Sequence, residues 1–406
     1  MSGGTRTLQP LAPPPIWQAP HDSQGQPRLD VRGMPADDMA EMLRAWSHPG
    51  YRGRQLFAAL HGQGVRAFQE AHVLPAALRA ELDDRAVASF LVLEARQCDP
   101  GDGTVKYLFR LADGNTIETV LMRYRYGYSV CVSSQVGCRM GCTFCASTLG
   151  GLARNLAAGE MAEQIDFING ELAAAARQDR LAEEFPVPPD ERPDPGARFD
   201  RIARLVVMGM GEPLENLDEV VRFLRVTHDG AGAGIGFRHM TVSTSGLVPQ
   251  IDRLAELDLP VTLAVSLHAP NDELRNRLVP LNRRYPLAEL MPACRRYAEA
   301  TGRRLTFEYV LIGGVNDLPE HARELGRLLR GLTCHVNLIP LNPVTERQLR
   351  PSTADAAMRF RGLLRGAGIP ATTRRQLGTA IDAACGQLRR KRMAPGEPAG
   401  GTGDFS

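Results

Sequence analysis

From Ala36 to about Asp84 apolar residues recur at helical intervals. Leu43, Leu56, Leu60, Phe68, Leu74 and Leu78 punctuate short amphipathic runs separated by Gly and Pro. This predicts a small helical accessory domain over residues 34–90. Residues 91–125 alternate apolar and polar positions about the turn Asp99-Pro-Gly-Asp-Gly103, which predicts a connector of one or two short β-hairpins. Beyond residue 126 β-branched runs alternate with helical patterns. Strands are expected at Tyr128–Ser133, Leu205–Met208, Met240–Ser243, Val261–Val265, Leu305–Leu311 and Val336–Ile339. Met161, Ile165, Ile168 and Leu172 share one helix face. Strand–helix units in such succession predict an α/β fold with a parallel sheet over 126–392, either open or curled into a partial barrel.

Three stretches lack this periodicity. Residues 1–33, with the run Pro13-Pro14-Pro15, read as a disordered leader, and 393–406 as a disordered tail. Residues 178–198 are Pro-rich and acidic, and are expected to form a surface insertion.

With 406 residues, 43% of them hydrophobic, the chain has room for one large α/β domain and a smaller one. A net charge of +2 gives no bulk electrostatic argument for a polyanionic partner. Lys106 and Lys391 are the only lysines among 48 cationic residues, so nearly every cation is the guanidinium suited to phosphate, a skew that codon bias explains equally well. No run approaches the roughly 20 apolar residues of a membrane helix, and no charged-then-apolar leader opens the chain, so a cytoplasmic location without membrane contact is expected. Eight cysteines in such a chain point to metal or thiol chemistry rather than a disulfide framework.

Four of the eight crowd together as Cys131, Cys138, Cys142 and Cys145. The run Cys138-Arg-Met-Gly-Cys142-Thr-Phe-Cys145 follows the first expected strand, in a loop with Gly137 and Gly141. Three soft thiolates this close suit an iron-sulfur cluster or zinc. A structural zinc would need a fourth protein ligand, and no His or Cys follows Cys145 within about twenty residues. Gly209-Met-Gly-Glu212 follows another expected strand, where glycines permit close backbone approach and Glu212 can accept from an ammonium. Ser243, Ser266 to His268, and Asn342 sit at or just past further strand ends, and together would ring one mouth of a barrel. Taken singly, Glu212 could be a solvated turn residue, His268 a structural histidine, and Cys131 or Cys385 a small buried hydrophobe.

Cys131-Val-Ser-Ser-Gln-Val-Gly-Cys138, Gly209-Met-Gly-Glu-Pro-Leu214, Ser243-Thr-Ser-Gly246, Ser266-Leu-His-Ala-Pro-Asn-Asp272, Gly314-Val-Asn-Asp317, Asn337-Leu-Ile-Pro-Leu-Asn-Pro343 and Ala383-Ala-Cys-Gly-Gln-Leu388 occur in one order. Between about residues 50 and 390 the chain thereby resembles the RlmN/Cfr family of radical S-adenosylmethionine RNA adenine methyltransferases. The resemblance implies a partial (β/α)6 radical-SAM barrel. It implies a [4Fe-4S] cluster on Cys138, Cys142 and Cys145, whose open iron chelates S-adenosylmethionine, with two molecules of the latter used per turnover. Gly211, Glu212, Ser243, Ser266, Leu267, His268 and Asn342 would line that site. Cys385 would become S-methylcysteine and lose a hydrogen to a 5′-deoxyadenosyl radical. Its methylene radical would add to adenine, Cys131 would release the adduct by a transient disulfide with Cys385, and Glu118 would accept a proton.

The implied product is a C2-methylated adenosine in 23S rRNA, at position 2503, with adenosine 37 of tRNAs as a further substrate to be considered. A flavodoxin or ferredoxin would donate electrons to a monomer. Pro213 and Val136 match RlmN sequences, whereas Gln376-Leu377-Gly378 leans toward the Cfr type, which methylates C8; RlmN proteins usually carry a basic residue at position 377 and an acidic one at 380, here Ala380. A non-catalytic metal-containing RNA-binding protein, and an activase of glycyl-radical enzymes, remain as readings of other classes. Tyr51, Arg52, Arg54 and Gln55 are candidate RNA contacts, as is the basic run Arg389 to Arg392, although either could be a solvated face.

Overall fold

The computed structural model describes residues 20–187, 192–342, 347–378 and 381. Three short helices, α1 (Ala36–Ala45), α2 (Tyr51–Phe57) and α3 (Ala76–Arg85), form the N-terminal unit. Leu43, Leu56, Leu60, Phe68, Leu74 and Leu78 all turn inward, so the apolar spacing in this stretch does mark a core face.

One ten-stranded sheet organises the rest. Its strands are β1 (Leu91–Cys98), β2 (Val105–Leu111), β3 (Thr116–Tyr124), β4 (Gly127–Cys131), β5 (Arg198–Val207), β6 (Met240–Thr244), β7 (Thr262–Ser266), β8 (Leu305–Leu311), β9 (Cys334–Pro340) and β10 (Ala371–Thr373). Sheet order follows chain order throughout. Strands β1 to β4 pair antiparallel, and β4 to β10 pair parallel. Helices α4 (Ala158–Arg177), α5 (Leu217–His228), α6 (Val248–Glu256), α7 (Leu287–Thr301), α8 (Pro319–Leu328) and α9 (Ala354–Gly366) fill the crossovers that parallel pairing requires. Met161, Ile165, Ile168 and Leu172 bury one face of α4. The near-continuous apolar run of β8 is buried along almost its whole length, as a strand covered on both faces must be.

The sheet curls. Strands β4 and β9 are five places apart, which on a flat sheet would separate them by about 24 Å. Yet Cys131 of β4 and Ile339 and Pro340 of β9 line a single cavity. Past β10, the Gly378 amide donates to Asp102 in the β1–β2 turn at 2.7 Å, and Arg374 reaches the Met122 sulfur of β3 at 3.7 Å. A partial barrel results.

Three expectations need correction. Residues 20–33 are not a disordered leader. Leu29–Asp30 pairs with Ala86–Val87, and the fully buried Arg32 donates to the carbonyls of Leu60, Val65 and Ala88 and to Asp166 at 2.5 Å. A buried guanidinium needs that many acceptors, and all of them are distant in sequence. Residues 91–125 are no separate connector, because β1 to β3 continue the barrel sheet. Within 178–198, Phe185 is buried beside Tyr128, with ring centroids 6.0 Å apart, so this stretch is not all surface. Two elements were not anticipated: β10, and the antiparallel hairpin Gln135–Gly137 with Leu152–Asn155. The expected tail lies outside the described residues. Among those described, no helix is long and apolar enough to cross a membrane.

Candidate active site

The unanticipated hairpin holds the cysteine loop. Gly137 has φ +82°, and a Cβ there would stand 2.0 Å from the Gly151 carbonyl oxygen, so only glycine lets the two arms close. The Cys138 amide donates to that same carbonyl at 2.9 Å, and Thr148 Oγ1 caps the carbonyls of Cys142 at 3.2 Å and Cys145 at 2.9 Å. Beyond the hairpin, Arg154 forks onto both Glu160 carboxylate oxygens at 2.8 Å, and Glu160 caps the start of α4 through the Ala157 amide at 2.9 Å. The loop is thus fixed at both ends to the barrel.

Cys138, Cys142 and Cys145 all face a cavity of about 280 Å³ at the C-terminal ends of the parallel strands. Burial pushes the Cys138 thiol up to about 12 and raises Cys142 and Cys145 too. Thiolates in such a place need a cation's compensation. Among the described residues no three His, Cys, Asp or Glu side chains converge on one ion. Three cysteines lining one cavity can each give a thiolate to a separate iron of a cluster, whereas a structural zinc would call for a fourth protein ligand.

Most of the polar residues expected at the strand ends share this cavity: Gly211, Glu212, Ser243, Ser266, His268 and Asn342. Gly211, at φ +116°, lies too close to Ser134 and Gln135 for any side chain. Glu212 is buried, and burial raises its carboxyl against the pull of its hydrogen bonds. Its oxygens accept the Ser245 amide and hydroxyl, both at 2.7 Å, and the Leu214 amide at 3.2 Å. The Thr244 side chain also hydrogen-bonds this carboxylate. Ser243 Oγ donates to the Val207 carbonyl at 2.8 Å. Leu267 is fully buried and is absent from the cavity lining.

His268 occupies left-handed backbone at φ +59° and is buried against Phe144. Its Nδ1 accepts the Val310 amide at 3.0 Å, which leaves Nε2 as the protonated nitrogen. Burial, aided by the nearby Arg275 charge, lowers its pKa to about 3, so the imidazole is a neutral donor at working pH.

Sequence reasoning missed Arg275. Fully buried, it donates to the carbonyls of Ser245 at 2.6 Å, Leu267 at 3.1 Å and Ser266 at 3.2 Å, and to Asn282 Oδ1 at 2.7 Å. One side chain therefore ties together the ends of β6 and β7 from behind. Gln135 was missed as well; its Oε1 accepts the Glu212 amide at 2.8 Å, and its Nε2 donates to Asn155 and Glu215. Gln135 sits inside the run Cys131 to Cys138, but its role, like that of Arg275, is set by partners distant in the chain. Glu308, buried in the same cavity, accepts from Asn337 at 2.9 Å, and burial raises it to about 7.

A second cavity, of about 160 Å³, adjoins the first and shares Met208, Gly209, Ile339, Pro340, Asn342 and Arg374 with it. Glu118 and Cys131 line this second cavity, together with Arg375, Gln376 and Leu377. Glu118 pairs with Lys106 at 3.0 Å, both side chains being sealed from solvent. Burial pushes the Cys131 thiol up to about 11, against the opposing pull of Arg374. Cys385 and the run Arg389 to Arg392 lie outside the described residues. Of the candidate RNA contacts, Tyr51 is exposed with the Arg52 guanidinium 4.8 Å from its ring centre, and Arg54 pairs with Asp37 in solvent.

A curled parallel sheet with three cysteines and a Gly-Glu turn at one mouth defines a radical S-adenosylmethionine protein. Residues 186–328 match the Radical SAM superfamily, a stretch that spans Glu212 to His268 and begins after the cysteines. The chain is 50% identical over 365 residues to the probable dual-specificity RNA methyltransferase RlmN of Symbiobacterium thermophilum, covering 90% of this chain and 92% of that protein. Its counterpart in Staphylococcus epidermidis is 47% identical over 355 residues, 87% of this chain and 91% of that one. A crystal structure of a radical SAM methyltransferase from Sphaerobacter thermophilus superposes with a TM-score of 0.78 at 48% identity, covering 88% of this chain and 98% of that one. The chain belongs to the RlmN family of radical SAM RNA methyltransferases. Its cofactors are a [4Fe-4S] cluster and S-adenosylmethionine.

Proposed function

We propose that this enzyme methylates C2 of adenosine 2503 in 23S rRNA, and C2 of adenosine 37 in tRNAs, with the new methyl carbon carried on Cys385. One observation supports this most: Cys131 and Glu118 share a cavity that opens onto the cavity of the cluster cysteines and is walled by Arg374 to Leu377, the stretch leading toward Cys385.

The residues divide the work. Cys138, Cys142 and Cys145 hold the cluster, which when bound supplies the electron for reductive cleavage of S-adenosylmethionine. Glu212 faces the ammonium of that cosubstrate, and His268 offers Nε2–H. Gly211, Ser243, Ser266 and Asn342 shape the rest of the pocket, with Leu267 acting through its backbone. Cys385 acts as the thiolate nucleophile toward a methyl group, which adenine C2, an electron-poor amidine carbon, cannot do for itself. Glu118 accepts the proton that leaves the adenine adduct. Cys131, as its thiolate, then attacks the Cys385 sulfur; the S–S bond forms as the sulfur–carbon bond to the RNA breaks, and the electron pair left on the methylene carbon takes up a proton to complete the methyl group. The protein acts as a cytoplasmic monomer served by a flavodoxin or ferredoxin.

The test is single-turnover reaction of the anaerobically reconstituted enzyme with 23S rRNA and tRNA fragments, followed by mass spectrometry of the nucleosides. 2-Methyladenosine is the expected product. 8-Methyladenosine would place the enzyme with the C8 type, and no methylated adenosine from an enzyme that cleaves S-adenosylmethionine would overturn the substrate assignment.

A further inference from the structure

Glu308 lies midway along β8, in register with Ser266 of β7 on one side and Asn337 of β9 on the other. Its backbone carbonyl accepts the Leu267 amide at 3.0 Å and the His268 amide at 3.3 Å, which fixes it beside the turn that carries His268. Val310, two residues nearer the mouth, lines the same cavity, so Glu308 reaches in from about 7 Å deeper. The residue is only 5% exposed, and among the described residues its carboxylate makes a single hydrogen bond, from Asn337 Nδ2 to Oε2 at 2.9 Å. Asn337 is absent from the cavity lining, whereas Ser266 and Glu308 both belong to it.

A carboxylate has about four acceptor sites, and a buried one that fills a single site is costly unless a ligand completes it. The shortage of donors shows in the carboxyl itself, which burial raises to about 7 against the pull of Arg374 and the Asn337 bond. With the amino-acid end of S-adenosylmethionine held at the cluster and Glu212, the sulfonium, the ribose and the adenine remain to meet Glu308. A sulfonium has no hydrogen to donate. The amino edge of adenine sets ring nitrogens beside its N–H, and their lone pairs would face the carboxylate. The ribose diol alone presents two O–H donors on adjacent carbons, which can fill two acceptor sites at once.

We propose that Glu308 is the residue that recognises the ribose diol of S-adenosylmethionine, with Ser266 beside it and Asn337 orienting its carboxylate. This rests on the reading of Glu212 and the cluster cysteines as the holders of the methionyl end. Glu308 thereby selects a ribonucleoside cosubstrate and, by holding C2′ and C3′, fixes where C5′ points.

The reconstituted full-length enzyme is compared with Glu308→Gln, Glu308→Asp and Glu212→Gln by equilibrium dialysis without RNA. The probes are S-adenosylmethionine and its 2′-deoxy and 3′-deoxy analogues, and iron content shows whether each variant holds its cluster. The parent should bind either analogue at least about tenfold more weakly than S-adenosylmethionine, as the loss of a hydrogen bond to a charged group predicts. E308Q, which turns one acceptor into a donor, should bind S-adenosylmethionine about tenfold more weakly and separate it from the analogues by less than about twofold. E308D, with its carboxylate drawn back by one methylene, should give an intermediate separation, and it decides if E308Q does not hold its cluster. Equal binding of all three probes by the parent would overturn the proposal whatever the variants do, because the diol would then go unread. So would a cluster-bearing variant that keeps the full separation, because another residue would then read the diol. E212Q tests the underlying reading by itself, and should weaken all three probes alike. If it weakens none, the placement of the methionyl end fails, while the separation in E308Q still judges Glu308.

Discussion

His268 Nδ1 takes the backbone amide of Val310 at 3.0 Å, across the β7–β8 junction of the barrel mouth. This bond does two things at once. It pins the ring in a left-handed backbone position that few non-glycine residues occupy, and it reserves Nε2–H for the cavity.

The same burial predicts a pH effect on stability. His268 titrates at about 3 in the fold against 6.5 when free, so between those values the unfolded chain binds the extra proton. Stability from this group is complete above pH 6.5 and is lost as pH falls. At pH 5 the loss amounts to about 2 kcal/mol. Urea midpoints of the parent should therefore drop more steeply between pH 7 and 5 than those of His268→Gln. Parallel curves would show that the imidazole is not held neutral.

Gly137 and Gly151 offer a controlled pair. Both have positive φ, but a Cβ on Gly137 meets the Gly151 oxygen at 2.0 Å whereas one on Gly151 meets nothing within 4 Å. Gly151→Ala should cost about 1 kcal/mol from backbone strain alone. Gly137→Ala must also push the hairpin apart, and should cost on the order of 3 kcal/mol and lower iron content after reconstitution. Thermal melts and iron and sulfide analysis would separate the two.

Arg275→Met should strand the carbonyls of Ser245, Ser266 and Leu267 in a dry interior, destabilising the fold by about 3 kcal/mol. Because those carbonyls belong to the strand ends that shape the cosubstrate pocket, S-adenosylmethionine affinity should fall as well, read by equilibrium dialysis. Unchanged affinity in a folded variant would confine Arg275 to stability.

The parts of this site that were legible in sequence are those whose chemistry is local. Cys138, Cys142 and Cys145 announce themselves by spacing, and the parallel strands by runs such as Leu305–Leu311, because burial on both faces demands continuous apolar sequence. Glu212, Ser243 and His268 were readable once strand ends were placed. Arg32, Arg275, Gln135 and the Lys106–Glu118 pair were not, since a buried polar side chain is decided by acceptors distant in the chain, such as Asp166 for Arg32. The packing of residues 20–33 was hidden for the same reason: a Pro- and Gln-rich segment carries no period, and it is the anchor of Arg32 that orders it.

Release of RNA should depend on Cys131 in two measurable ways. Cys131→Ala removes the attacking sulfur, so the covalent enzyme–RNA adduct should accumulate while reductive cleavage and Cys385 methylation persist. In the parent, burial pushes this thiol up to about 11, so near pH 7.5 only about one in a few thousand molecules carries the reactive thiolate. Adduct decay should then climb about tenfold for each pH unit between 7 and 10, as deprotonation sets the rate. Arg374, the strongest of the charges that pull the thiol down, should matter in the same sense: Arg374→Gln is expected to slow decay at pH 8 and leave the slope unchanged. Decay that is flat across this range would show that the proton leaves in concert with sulfur attack, taken by a neighbouring base, and would move Glu118 from the adenine to the thiol as the group it serves.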